Sequence, residues 1–513
     1  MESAAWPVRK FCGRMCITSQ KCSKFAPQAS WMKMESLKEK TAKGLFWGAL
    51  NSGMMQVLNL VFGLFFARML TPHDYGIVGV LAVFSLIATN LLNSGFMQGL
   101  INIKQPTDND YNAVFWFNIS VGFICYVVLF FAAPLIAWFF HSPELVSLSR
   151  FLFLGFLISS FSVTRNAIMY KRIMARERAI TGFVTLLVSG CVGLALAWNG
   201  QAYWSLAWQT VMFGLVQNIC RYFYTRRYWR PSFKVDFSPV RRMFPFSVKI
   251  LFTSLINTVN NNVLTFIFGN LFPMKAVGNF TQAMKWNTMA FNTITGTIEQ
   301  VAQPVLVEIN DERDRERRVF RKMLRFTAFL AFPALFGLSL VAEEFVLVAI
   351  TDRWMESVPL LKILCVGGAF LSFYTLYQHL VIASGRSDIY MWCNVGQIVI
   401  QILLILLFHS RGIQTMVVVY TLFTILWLAV WQYHAKRLIG ITVSEVLRDT
   451  VPFMLAAAGV MAVTYFATSF ITVPQVLLPV RIFMAAALYA LVMKVAKVQM
   501  FEECIRFLRK KKQ

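Results

Sequence analysis

The sequence predicts an all-α polytopic membrane protein of about 14 transmembrane helices, arranged as two six-helix bundles in parallel pseudo-repeat with two further helices at the C-terminus. Three observations carry this expectation. Apolar stretches of about 20 residues, the length a helix needs to cross the hydrocarbon, recur along the chain between short connectors. Hydrophobic residues make up 57% of the 513 and charged residues only 14%, where a soluble domain carries roughly 25% charged residues. Lys and Arg fall almost entirely on every second connector.

Taken in order, the spans fall at about 46–69, 75–95, 113–135, 146–168, 179–198, 203–223, 244–268, 276–304, 322–342, 358–383, 389–409, 413–433, 450–470 and 476–496. The segments around 95 and 350 have the least defined ends. Orientation follows from basic residues, which are retained on the cytoplasmic side. One set of connectors holds Arg165, Lys171, Arg172, Arg176 and Arg178, then Arg221 through Arg242, Arg313 through Arg325, and Lys494 through Lys512. The opposite set holds only Lys275, Arg353 and Arg411. An even number of spans with both termini in the cytoplasm satisfies this bias, and a shift by one helix destroys it. The net charge of +25 then reads as inner loops facing an anionic leaflet, not as a nucleic-acid surface. The mixed-sign run Arg313 to Arg318 reads as a solvated amphipathic linker.

The expected organisation is a cytoplasmic tail over 1–43, a first bundle over 44–225, a linker over 226–243, a second bundle over 244–435, two extra helices over 436–497 and a basic tail over 498–513. Residues 1–33 are basic and lack the apolar run of a signal peptide. The string Met-Glu-Ser occurs at residue 1 and again at Met34, so the first 33 residues read as a disordered tail or an early start. Nine cysteines give no disulfide or zinc pattern. Five of them, Cys125, Cys191, Cys220, Cys365 and Cys393, lie in apolar spans as small hydrophobes.

A short motif recurs between the halves. The first span ends in Leu70-Thr71-Pro72-His73-Asp74-Tyr75-Gly76, and the seventh in Leu271-Phe272-Pro273-Met274-Lys275-Ala276-Val277-Gly278. Proline cannot continue a helix, and glycine permits a tight re-entry, so both read as turns between spans. Six spans return the chain to the same side, which makes the repeats parallel. Paired bundles of this kind suit alternating access to a site between them.

Trp47, the turn Leu70-x-Pro72-x-Asp74-Tyr75-Gly76, Gly95-Phe96-x-x-Gly99-Leu100-Ile101 and Phe115-Trp116-x-Asn118 resemble the polysaccharide-exporter branch of the multidrug/oligosaccharidyl-lipid/polysaccharide flippases. Pro304-Val305-Leu306 and Ala383-Ser384-Gly385-Arg386 extend the resemblance, which covers about 40–497. It implies a flippase that moves undecaprenyl-pyrophosphate-linked oligosaccharide across the bacterial cytoplasmic (inner) membrane for lipopolysaccharide, capsule or exopolysaccharide assembly. It implies no cofactor and no nucleic-acid partner. Its partners are the lipid-linked oligosaccharide, membrane lipids and a coupling ion, H+ or Na+, where an ion gradient drives the cycle.

Polar residues inside spans are costly unless they face a cavity or a partner. In the eighth span Gln282, Lys285, Asn292, Glu299 and Gln303 fall within roughly a 100° sector, with Met289 and Gly296 completing the face. In the seventh, Lys249, Thr253, Asn257 and Asn260 share about 80°. Two readings follow. In one, Lys285 and Lys249 attract a pyrophosphate while the amides bond sugar hydroxyls. In the other, the stripes join helices, with Lys285 paired to Glu299 or another carboxylate and Lys249 snorkelling. In the first half, Asn51 and Asn59 share a face, and Arg68 either pairs with Asp74 or faces the cavity. These positions define the candidate substrate contacts: Lys285, Lys249, Gln282, Asn292, Glu299, Gln303, Asn257, Asn260, Asn51 and Arg68.

No Walker loop, Gly-x-Ser-x-Gly or His-Glu-x-x-His occurs in the chain, so the expected protein is not an enzyme. His379 reads as a packing histidine or a proton relay. Two alternatives to a flippase stay in view. A multidrug–cation antiporter of the same superfamily would favour cations through buried carboxylates, and typically has twelve spans. An O-antigen polymerase or ligase would need a large outer loop, and the longest outer connector is about 343–357.

Overall fold

The computed structural model describes residues 37–93, 95–233, 236–309, 312–498 and 500–502, with side chains omitted at 37–46, 48–51, 93, 297, 299–301, 303, 304 and 307. Every described element is helical. The order is α1 (Leu37–Met69), α2 (Pro72–Asn93), α3 (Phe96–Asn102), α4 (Asp108–Phe139), α5 (Leu145–Ser160), α6 (Val163–Lys171), α7 (Ala175–Trp198), α8 (Ala202–Thr225), α9 (Ser238–Leu271), α10 (Met274–Glu308), α11 (Arg313–Leu340), α12 (Ala342–Phe345), α13 (Ser357–Ala383), α14 (Ser387–Phe408), α15 (Ile413–Ile439), α16 (Val443–Ala467) and α17 (Pro474–Val495). A π-turn over Val346–Ile350 and a 3-10 turn over Asp352–Trp354 join α12 to α13.

Each expected span coincides with a helix. Eleven described helices are long and apolar enough to cross a membrane, and α5 with α6, bent by 42°, make a twelfth if they act as one span. The remaining two segments, α8 and α10, are helices of 24 and 35 residues that do not meet the same standard of apolarity. The ill-defined segment near 95 is a break between α2 and α3, and that near 350 is the π-turn.

Local chemistry sets the ends. Thr107 caps α4 and Thr442 caps α16, each in a reciprocal box with the acid three residues on, Asp110 and Glu445. Such boxes satisfy two backbone donors that the first helical turn leaves free. Pro239 sits at the start of α9, where its missing N–H costs nothing. On α4, Phe131, Leu135 and Trp138 are exposed, as an apolar helix face turned to lipid requires.

Most of α1 to α8 pack on one another, as do α10 to α15, whereas α2 packs chiefly on α9 and α10, and α9 chiefly on α2, α3 and α4. Helices α16 and α17 form a hairpin fastened to the second bundle. Arg317 and Arg321 of α11 bond Glu445 at 2.6 and 3.0 Å, while Arg321 and Arg325 reach Asp449 at 2.6 and 2.7 Å. At the other end, Arg481 of α17 pairs with Glu344 of α12 at 2.5 Å, both under a tenth exposed. Removing one partner of so enclosed a pair strands a charge, which holds the hairpin to the second bundle.

The Arg313–Arg318 run is therefore not a linker. It begins α11, with Glu316 buried and Arg317 bonded to α16. The basic residues Arg165 and Arg221 likewise lie within α6 and α8 instead of in loops. Cys365 and Cys393 are buried, whereas Cys191 is exposed. His379 is partly buried, and its Nδ1 has no partner among the described residues. Residues 1–33, expected as a disordered tail or an early start, lie outside the described residues.

Candidate substrate-binding cleft

The site is organised by the crossing of α2 and α10. These helices run side by side from the Pro72 and Pro273 ends of the two repeated motifs, and there they touch backbone to backbone. A Cβ at Gly76 would overlap the Met274 carbonyl oxygen, and one at Gly278 would overlap the Pro72 carbonyl oxygen. The two contacts are reciprocal, which gives the sequence repeat a structural form: each motif supplies the glycine on which its partner rests. The expectation that these glycines serve tight turns is corrected by this. Neither has a positive φ, both lie inside helices, and their use is close approach of two backbones.

Further contacts close the same end. Trp354 donates from Nε1 to the Ala67 carbonyl at 2.7 Å and meets the Tyr75 ring edge-on at 5.2 Å. Arg68 donates to the Ala349 and Val348 carbonyls at 2.8 and 2.9 Å. Arg68 thus neither pairs with Asp74 nor points into a cleft. The π-turn ends at Ile350, so its last carbonyls lack a helical donor, and the guanidinium satisfies two of them. Asp74 instead accepts from the Thr71 N–H and hydroxyl at 2.9 and 2.7 Å. Glu356 accepts from Lys275 at 2.6 Å and Asn279 at 2.8 Å.

Behind this seal sits Lys285, eleven residues along α10 from Met274, or about 16 Å at 1.5 Å per residue. Its ammonium lies 5.4 Å from the centre of the Tyr75 ring and 3.1 Å from where a Cβ of Gly63 on α1 would be. It is thus enclosed by α1, α2 and α10. Among the described residues no carboxylate pairs with it. The ring faces of Tyr75 and Trp286, at 5.4 and 5.7 Å, are weak cation partners, so the charge keeps its capacity for an anion.

The rest of the eighth-span stripe divides. Gln282 is fully buried, and neither amide atom has a partner among the described residues. It shares its helix face with Asn279, bonded to Glu356 at the start of α13, and with Trp286, edge-on to Phe345. About 60° of helical rotation separates it from Lys285, and it is packed inside the protein where Lys285 lies against α1 and α2. Asn292 is exposed, and a Cβ at Gly296 would meet nothing within 4 Å, so the Lys285 face opens along α10. The side chains of Glu299, Gln303 and Asn51 lie outside the described residues.

On α9, Lys249 is exposed. Asn257 donates to the Tyr390 hydroxyl of α14 at 2.9 Å, so it joins helices in this conformation. The Asn260 side-chain oxygen is buried without a partner among the described residues. The same helix is fastened to the first bundle, through Asn90 on Thr258 at 2.6 Å and Arg242 on Asp110 at 3.0 Å. Sequence reasoning missed Gly63, Tyr75 and Trp354 as shapers of the site. Only the recurring Tyr-Gly and Val-Gly of the paired motifs carried a signal for them.

A family model described as polysaccharide biosynthesis protein matches residues 65–359. Lipopolysaccharide biosynthesis protein WzxC of Escherichia coli (strain K12) is 25% identical over 371 residues, 70% of this chain and 73% of that protein. Teichuronic acid biosynthesis protein TuaB of Bacillus subtilis (strain 168) is 23% identical over 433 residues, 84% of this chain and 89% of its own length. Among solved structures, the lipid II flippase MurJ in an inward closed conformation superposes with a TM-score of 0.71 at 13% identity, covering 88% of this chain and 99% of that one.

Proposed function

We infer the activity from one premise: the chain belongs to the polysaccharide biosynthesis protein family. It is a multi-pass membrane transporter of the flippase type and not an enzyme. It moves a lipid-linked oligosaccharide, with an undecaprenyl-pyrophosphate carrier, across the bacterial cytoplasmic membrane by alternating access. The observation that carries this reading is Lys285, a lysine without a carboxylate partner among the described residues, held between the two bundles behind a closed seam.

The steps follow from that placement. The pyrophosphate enters the open end of the cleft and is drawn to the ammonium, while the polyprenyl tail stays in lipid. Lys249 and Asn292, both exposed, meet the headgroup and sugar on the way. Separation of α2 from α10 at their glycines then opens the opposite face. A point charge suits a ligand that must leave again, because an arginine fork would grip the phosphate in one geometry. Energy comes from an H+ or Na+ gradient, the membrane potential, or consumption of the product on the far side. A cation antiporter would need a carboxylate where Lys285 stands.

Deleting the chain in a polysaccharide-producing cell should leave pyrophosphate-linked sugar accumulated in the cytoplasmic leaflet, with drug tolerance unchanged. Unchanged lipid-linked sugar with raised drug sensitivity would replace this reading with the antiporter. Orientation has its own test. With both termini cytoplasmic, a cysteine at Asn199 should react with an impermeant maleimide in intact cells, and one at Arg313 only after lysis. Both positions are exposed, so the reverse pattern would invert the topology.

A further inference from the structure

The first bundle contains a second cationic pocket, set apart from Lys285. It is a cavity of about 310 Å³ between α2, α3, α5, α6 and α8, with Arg221 in its wall. Arg221 lies one turn before the end of α8, and Ser162 lies in the break where α5 bends into α6. The guanidinium donates to the Ser162 hydroxyl at 2.9 Å. That is one bond for a group with five donors. Gln217, also in the wall, has no hydrogen-bond partner among the described residues, and Asn166 donates only to the Met97 sulfur at 3.3 Å.

Arg178 is close enough to Arg221 to repel it, and its guanidinium covers the Tyr170 ring at 3.4 Å. Arg165, buried on the other side of α8, bonds Asn218 at 3.0 Å. Among the described residues, none of these three arginines pairs with a carboxylate. Bare cations gathered in a membrane-embedded bundle are costly, and such groups normally find a counter-charge. The cavity is about ten times the ~30 Å³ that one water occupies, and falls at the small end of ligand pockets at roughly 300–1,000 Å³.

We propose that the bend between α5 and α6 carries an anion site of its own, in which Arg221, Asn166 and Gln217 bind a phosphate or pyrophosphate group, while Ser162, whose hydroxyl donates to the Ser159 carbonyl at 3.0 Å, orients the Arg221 guanidinium. The arrangement fits that class. The guanidinium offers a planar fork to phosphate oxygens, and the amide groups add hydrogen bonds to them. Assignment of the group to a carrier lipid rests on the flippase reading, whereas the anion chemistry of the pocket does not. As a resident site in the first bundle, it would hold a headgroup away from Lys285, before or after passage through the cleft.

Calorimetric titration of the purified full chain in detergent with inorganic pyrophosphate tests this. The wild-type protein should bind two equivalents, Arg221→Gln and Lys285→Gln one each, and the double variant none. Arg221→Lys should retain the second equivalent at reduced affinity. Geranyl pyrophosphate forms the other arm: at least tenfold tighter binding than inorganic pyrophosphate at the Arg221 site identifies a lipid headgroup, and equal binding identifies a free anion. If Arg221→Gln does not elute as a folded protein, Gln217→Leu and Asn166→Leu take its place, each weakening that equivalent about threefold. The proposal is overturned if Arg221→Gln, or both replacements, titrate like the wild type, or if Lys285→Gln alone abolishes all binding. Export assayed on the same variants keeps the flippase reading separate, because two-site binding without any flipping would remove that reading and leave the pocket intact.

Discussion

Lys285→Gln lowers export of lipid-linked oligosaccharide at least tenfold and leaves membrane insertion and abundance unchanged; Lys285→Arg restores only part. The magnitude follows from the lost interaction. A hydrogen bond to a charged group is worth about 1.5–3 kcal/mol, and each 1.4 kcal/mol is about tenfold in affinity. Glutamine keeps much of the bulk that fills the space over Gly63 and beside Tyr75, so packing survives while charge is lost. Arginine restores charge but must fit a planar fork where an ammonium already lies 3.1 Å from the Gly63 Cβ position, hence the partial rescue. The measurement is the initial rate of flipping in proteoliposomes. Normal flipping by Lys285→Gln would remove the phosphate role from this residue.

Alanine at Gly76 or Gly278 is expected to hold the seam open. Either Cβ would overlap a carbonyl oxygen of the facing helix, so α2 and α10 must move apart. Overpacking of this kind costs about 1–3 kcal/mol, enough to depopulate the closed state roughly 5- to 150-fold. The open state bears no such cost, because there the helices are already separated. A cysteine at Thr281, which packs against Gly79, reports the change: it is protected from impermeant maleimide in the wild-type background and labelled in Gly76→Ala. Export falls in parallel, since a transporter that cannot close one face cannot complete its cycle. Protection and export both at wild-type levels would show that the crossing is not the moving seam.

The two expectations differ in how far the sequence reached them. Lys285 stood out because a charge inside an apolar span is costly wherever the helix packs. Gln282 looked equivalent, since both lie in one sector of the same helix. They part company by about 60° of rotation: Lys285 meets Gly63 of α1 and the Tyr75 ring of α2, whereas Gln282 is fully buried. Asn257 and Arg68 were credible contacts for the same reason, and each has been claimed by a neighbour, the Tyr390 hydroxyl and the π-turn carbonyls. Arg221 was absorbed into the count of basic loop residues, because position in the sequence cannot separate a loop arginine from one a single turn inside a helix.

What the sequence determined by itself was set by local quantities. Apolar run length fixes where a helix can sit in hydrocarbon, and the bias of Lys and Arg favours one orientation; neither depends on which helix is whose neighbour. The paired Leu-x-Pro and Gly motifs marked the repeat for the same reason, since a repeat is a comparison of the chain with itself. What only the tertiary structure decided was contact: that Gly76 and Gly278 rest on each other's helices, that Arg68 belongs to a turn some 280 residues away, and that Lys285 lies between Gly63 and the Tyr75 ring with no carboxylate partner among the described residues. Each depends on the relative rotation and approach of helices distant in sequence. Helical periodicity fixes which side chains share a face, but packing alone selects what that face meets.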